Sequence, residues 1–121
     1  MGLDMYAFTT NDAIPAADFT QPDNSDEIFY WRKHPNLHGW MEQLYRSKGG
    51  SEGEFNCVCV RLDQSDLAAL EYAVNENELP QTQGFFFGLS DGSEKSHDLD
   101  FIHKARDALA SGKAVFYTSW W

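Results

Sequence analysis

The sequence predicts an α/β fold of the α+β kind: a two-layer sandwich with a mixed sheet of four or five strands and about three helices. Two observations carry this. Short alternating or apolar runs of strand length lie near residues 3–8, 27–31, 55–62, 84–88 and 114–120. Between them stand three stretches whose apolar residues recur at helical spacing. Strands alternating with helices imply a sheet with crossover helices on its face. A length of 121 residues with 42% hydrophobic and 15% aromatic content is enough for one real core. Residues 1–121 are therefore expected to form a single domain.

The elements follow in order. In Leu3-Asp4-Met5-Tyr6-Ala7-Phe8, Leu3, Met5 and Ala7 face one side and Asp4, Tyr6 and Phe8 the other. Residues 10–26, with two prolines and four acidic residues, read as a loop. Glu27–Trp31 is aromatic and β-branched and reads as a short strand. Pro35 suits a first helical turn, where its missing N–H costs nothing. Leu37, Trp40, Met41, Leu44 and Tyr45 then make one apolar face, and the run Lys48–Gly53 ends the helix. Phe55–Leu62 is apolar on both faces and is expected as a central strand. Asp63 or Ser65 can cap a helix over residues 65–77, and Leu79-Pro80 stops it. Gly84–Gly88 is a strand between glycines. Ser96 can cap a third helix with Phe101, Ile102, Ala105, Ala108 and Leu109 inward. Gly112 stands where a C-terminal glycine cap belongs.

Charge and cysteines limit the function. The formal net charge is −10. Affinity for nucleic acid rests largely on Lys and Arg displacing counterions, so direct nucleic-acid binding is disfavoured, as is attraction to anionic lipid. A basic protein surface, or a small ligand in a pocket of locally opposite sign, stays open. Cys57 and Cys59, two apart in the expected strand, are too close for an unstrained disulfide. Unpaired thiols fit a reducing compartment. The start of the chain lacks signal-peptide character, and no apolar run approaches the roughly 20 residues that span a bilayer. A cytoplasmic protein without membrane contact is expected.

Four constellations could carry chemistry. The first leads into the Pro35 helix: Tyr30, Arg32, Lys33 and His38. Cations beside a helix N-terminus favour an anion, so these four are the candidate ligand-binding residues, with His38 as donor or base. The plain alternative is two solvated cations and boundary histidines. His34 and His38 also share the i, i+4 spacing of metal ligands, with Glu42 on the same stripe. The Glu that follows the first His in zinc proteases is replaced by Pro35, and no metal is assigned. The second is Gly88-Leu89-Ser90-Asp91-Gly92, a Gly-x-Ser-x-Gly string. Turn-like residues follow it instead of a helix, so it reads as a loop and no catalytic residue is assigned. The third, Cys57-x-Cys59, lacks zinc-ligand spacing and reads as two small buried side chains. The fourth is aromatic. Phe85–Phe87 and Trp120-Trp121 cannot all point inward, which suggests either a covered sheet or an interface with a protein partner or a second copy.

Gly2-Leu3-Asp4-Met5-Tyr6, Tyr30-Trp31-Arg32-Lys33 with His38 and Trp40, and Gly84-Phe85-Phe86-Phe87-Gly88 together resemble a group of small proteins encoded by bacteriophages and prophages. The resemblance runs through most of the chain in islands. It implies a bacterial or phage cytoplasmic setting and supplies no reaction and no cofactor. A Gly-x-x-x-x-Gly-Lys loop, which kinase chemistry of the P-loop kind requires, is missing. The reading is therefore a small acidic interaction or binding module with a host protein partner or a homodimer. The alternative is a small enzyme or ligand-binding domain for an anionic metabolite or nucleotide at the Arg32–His38 helix entrance.

Overall fold

A computed structural model describes residues 2–10, 25–51, 53–80, 82 and 94–121. The elements run β1 (Asp4–Thr10), β2 (Asp26–Arg32), α1 (Pro35–Ser47), β3 (Cys59–Leu62), α2 (Gln64–Asn75), α3 (Lys95–Ala110) and β4 (Ala114–Trp120). The strands form one sheet in the order β2-β1-β4-β3. Among the described residues, four strands and three helices match the expected α+β class.

The sheet is antiparallel at every pairing rather than mixed. The expectation failed because it assumed one crossover helix between neighbouring strands. Two helices, α2 and α3, separate β3 from β4, and this return reverses the chain beside its neighbour. The expected strand at 84–88 and the Gly-x-Ser-x-Gly string lie outside the described residues, as does most of the acidic loop.

Alternation in β1 is as expected. Leu3, Met5 and Ala7 are fully buried, opposite Trp31, Phe29, Ser119 and Tyr117 on the neighbouring strands. Helix residues Leu37, Met41, Tyr45, Leu67, Leu70, Phe101 and Ile102 complete one core against this face, with Val60, Leu62 and Val115. All three helices therefore contribute to a core on the same face. A smaller buried cluster, Cys59, Ala114 and Phe116, lies on the other face near the β3 edge. An extra residue in β2, Ile28, bulges the β1–β2 ladder between Ala7 and Phe8.

The central strand expected over residues 55–62 is a four-residue edge strand. Cys57 takes a left-handed conformation (φ 61°) outside β3, its N–H still donating to Ser119 O at 2.8 Å. Asn56 substitutes for backbone pairing: its side chain accepts from Trp121 N at 3.0 Å and donates to Trp121 O at 2.8 Å. Cys57 is exposed while Cys59 is buried, so the two thiols do not form the expected buried pair.

Two of the three helix starts are as expected, but Ser96 does not cap α3: the helix begins at Lys95 after Glu94, with no side-chain cap. Pro35 opens α1. Gly39, unfavourable in a helix by propensity, faces Thr82, whose side chain occupies the space a β-carbon would need. Thr82 N donates to Asn36 Oδ1 at 3.1 Å, which holds it there. Asp63 caps α2 through a reciprocal capping box: Asp63 Oδ1 accepts from Asp66 N at 2.9 Å and Asp66 Oδ2 accepts from Asp63 N at 2.9 Å. The Asp66 N–H holds the Asp63 carboxyl below its usual range. Arg106 clamps α3 to α2 with two bonds to Glu71, at 2.9 and 3.1 Å.

Asp63→Ala removes the cap acceptor. A loss of about 1 kcal/mol is expected, read as a melting point roughly 4 °C lower. An unchanged melting point would remove the cap from the account of α2.

Candidate functional site

Strand register decides which candidate residues meet. Asp4 pairs with Arg32 and with Trp120, and Tyr6 pairs with Tyr30. Since Met5 and Trp31 point into the core, these neighbours point to the opposite, outer face. There one carboxylate oxygen collects two donors. Tyr30 donates its hydroxyl to Asp4 Oδ1 at 2.6 Å, and Arg32 Nη1 donates to the same atom at 2.7 Å. The Tyr30 hydroxyl above all, helped by Arg32, lowers the Asp4 carboxyl against the opposing effect of burial, and the same bond raises the Tyr30 phenol.

Lys33 continues from Arg32 in a left-handed conformation (φ 55°), its backbone N–H bound to Leu3 O at 2.8 Å. This turn brings both cations over Gly2. A β-carbon there would lie 2.8 Å from Arg32 Nη2 and 3.2 Å from Lys33 Cε. Tyr30, Arg32 and Lys33 thus gather around Asp4 and Gly2, with one of the two positive charges paired by Asp4.

Beside this corner is a cavity of about 340 Å³ lined by Gly2, Asp4, Trp120 and Trp121. A second, more open depression of about 300 Å³ is lined by Tyr6, Phe8, Glu27, Cys57, Thr118, Ser119 and Trp120. Trp120 is 65% exposed and borders both. Trp121 is anchored, its indole N–H donating to Phe55 O at 3.0 Å. Gly2, Asp4 and Trp121 were not singled out from sequence as site residues. The available signal was that the strings Gly2–Tyr6 and Tyr30–Lys33 are both strands, and so could pair.

His38 does not join them. The wheel placed it at the edge of the α1 apolar face, and packing against the sheet carries that edge inside. Its ring is only 1% exposed, stacks near Phe55 at 5.0 Å, and meets Tyr117 Oη at 2.7 Å through Nδ1. Tyr117 lies on the core face, so the sheet separates His38 from Arg32. Burial drives the His38 pKa from 6.5 to about 4, opposed by a hydrogen bond to the Phe55 backbone. Burial also pushes the Tyr117 phenol well up, opposed by Ser119. At neutral pH the pair is therefore uncharged, with the phenol O–H donating to the imidazole nitrogen. His38 is a core histidine rather than an anion ligand.

His34 turns elsewhere. Its Nε2 lies 2.9 Å from Asp98 Oδ2, and its Nδ1 lies 3.4 Å from Glu94 Oε2. Asp98, itself 1% exposed, also accepts from Trp31 Nε1 at 3.1 Å. Glu42 pairs with Arg46 at 3.3 Å. The stripe His34, His38, Glu42 thus serves three different partners. Among the described residues no group of three or more His, Cys, Asp or Glu is placed to hold a metal ion. The cleft next to His34 and Asp98 measures about 180 Å³. Ligand pockets usually start near 300 Å³, so the outer-face cavity is the stronger candidate site.

No protein-family model, no curated protein and no solved structure matches the chain.

Two outcomes test this assignment of inner and outer groups. Asp98→Ala leaves two buried N–H donors without their acceptor, and a loss of roughly 3 kcal/mol is expected in urea unfolding; a loss below 1 kcal/mol would mean water replaces the carboxylate. For His38, the folded state binds its proton more weakly than the unfolded chain. Its stabilising contribution is therefore complete above pH 6.5 and declines as the pH falls toward 4. The stability difference between wild type and His38→Gln should shrink by about 2 kcal/mol between pH 7 and pH 5. A difference independent of pH would show that His38 is solvated.

Proposed function

We propose that the chain is a protein-interaction module that docks through the open end of its outer sheet face onto a basic surface of a cytoplasmic host protein. The observation that carries this is the exposed aromatic end of the outer face, which is otherwise buried at Cys59, Ala114 and Phe116. The helices contribute to the core on one face, and on the other Trp120 is 65% and Tyr30 45% exposed, beside half-exposed Arg32. Trp, Tyr and Arg are the residue types in which binding energy concentrates at interfaces. The rings of Tyr6 and Tyr30 pack at a tilt with centroids 5.3 Å apart, so part of this patch is already ordered before any partner arrives. A charge of −10 draws a basic partner and repels phosphate backbones.

Docking uses the face rather than the β2 edge. That edge carries Asp26, Glu27 and Arg32 and a bulge, features that discourage strand addition. The resemblance of Gly2–Tyr6 and Tyr30–Lys33 to small phage proteins supports a host protein as the partner. No helix among the described residues is long and apolar enough to cross a membrane.

Affinity capture from bacterial lysate, with wild type and Trp120→Ala side by side, tests the proposal. A basic protein retained by wild type, released by salt and bound about thirtyfold more weakly by the variant is expected. Identical captures, or none, would overturn it. Size-exclusion mass measurement separates the homodimer: a dimer converted to monomer by Trp120→Ala would assign the face to a second copy.

A further inference from the structure

We infer that the depression lined by Tyr6, Phe8, Glu27 and Trp120 is a binding site for an arginine side chain, with the guanidinium on the aromatic rings and its N–H groups on the Glu27 carboxylate. The arginine is supplied by the basic partner of the docking reading, on which this inference rests for its source.

Strand register lays out the site. Tyr6, Phe8, Thr118 and Trp120 alternate onto the outer face, and Phe8 pairs with Glu27 on β2. Trp120 stands opposite Asp4 and marks one end. Tyr6 lies in the middle, and Phe8 with Glu27 marks the other end. Each step is two residues of strand, about 7 Å. The volume of about 300 Å³ is at the lower end of ligand pockets and suits one long side chain.

Three rings and one carboxylate select a cation. Aromatic faces attract positive charge, and Glu27 is the one charged group of the described lining. It is exposed and, unlike Asp4, makes no ion pair among the described residues. Burial, Asp4 and Glu27 raise the Tyr6 phenol and Arg32 lowers it, so the charge of Glu27 is felt in the middle of the depression. Two of the protein's own cations serve other rings, Arg46 over Tyr45 at 5.3 Å and Lys104 over Phe29 at 5.2 Å. Arg32 is held by Asp4 at the Trp120 end, where it repels a second cation. The incoming guanidinium therefore lies toward Phe8 and Glu27, with its aliphatic stem over Tyr6.

The shape of the walls favours arginine over other organic cations. The rings of Tyr6 and Phe8 are inclined by only 28°, with centroids 6.1 Å apart. A planar guanidinium lies flat on such faces and keeps its edge N–H groups for a carboxylate. The lysine ammonium is a compact, strongly hydrated charge with no plane to stack. A quaternary ammonium has no N–H to give Glu27.

NMR titration of the isotope-labelled protein with arginine blocked at both ends, as N-acetyl and N-methylamide, tests this. Lysine and citrulline blocked in the same way are separate arms, citrulline having the arginine shape without the charge. Saturable shifts at Tyr6, Phe8, Glu27 and Trp120 are expected with arginine, with a Kd on the order of millimolar. Lysine should bind at least about threefold and citrulline at least about tenfold more weakly. Glu27→Gln should weaken arginine at least about threefold and leave the melting point unchanged. No saturation up to about 100 mM arginine would overturn the inference. So would lysine or citrulline binding as tightly, or arginine binding unaltered by Glu27→Gln. Lysate capture with Glu27→Gln separates the two readings. A partner retained equally by wild type and Glu27→Gln, and not displaced by blocked arginine, keeps docking through Trp120 and overturns the arginine site. Blocked arginine bound as expected while no protein is captured supports the site and overturns docking.

Discussion

A single buried carboxylate organises this molecule. Asp98, in the first turn of α3, accepts from the indole of Trp31 at the end of β2 and bonds the ring of His34 at the entry to α1. An unpaired charge there would be costly, so the three elements are held at the only separation that satisfies it. With Trp31 turned inward, alternation sends Tyr30 and Arg32 outward. With His34 fixed, α1 must start at Pro35 and present Leu37, Met41 and Tyr45 to the sheet. The outer corner thus inherits its geometry from a bond on the inner side.

The two faces divide the polar chemistry cleanly. Inside, His38, Tyr117 and Ser119 form an uncharged chain in which each buried polar group has a partner. Outside, Asp4, Tyr30 and Arg32 share a charged cluster partly open to water. The outer set comes from β1 and β2, the inner set from α1 and β4. Shifting β1 by a single position would turn Asp4 inward, away from Tyr30 and Arg32, and bury its carboxylate. The register is therefore fixed twice, by apolar burial below and by charge above.

Much of this was legible in the residues. The β1 alternation, the Pro35 start, the Asp63 cap and the final strand follow from local rules, because each is decided within a few positions. Sheet direction was not, since it depends on α2 and α3 returning as a pair. The strand over 55–62 was overread because apolar content says nothing about the left-handed backbone at Cys57. Three of the four candidate ligand residues come together, and His38 does not, because a wheel places a boundary residue without saying which way the helix rolls. Asp98 carried a signal that went unused: it is in phase with Phe101, Ile102 and Ala105 on the inward side of α3. A carboxylate in that row asks for a buried donor, and Trp31 is one.

The contact between Gly39 and Thr82 reaches beyond its own size. Thr82 is held to α1 by Asn36 and fills the hollow that the missing side chain leaves. Helix α1 and Thr82, which comes after α2 in the chain, are therefore keyed like a tooth in a notch. A methyl group at position 39, which strengthens an isolated helix, acts here as a wedge. Bulk gained at position 39 is consequently tolerated only where bulk is lost at position 82.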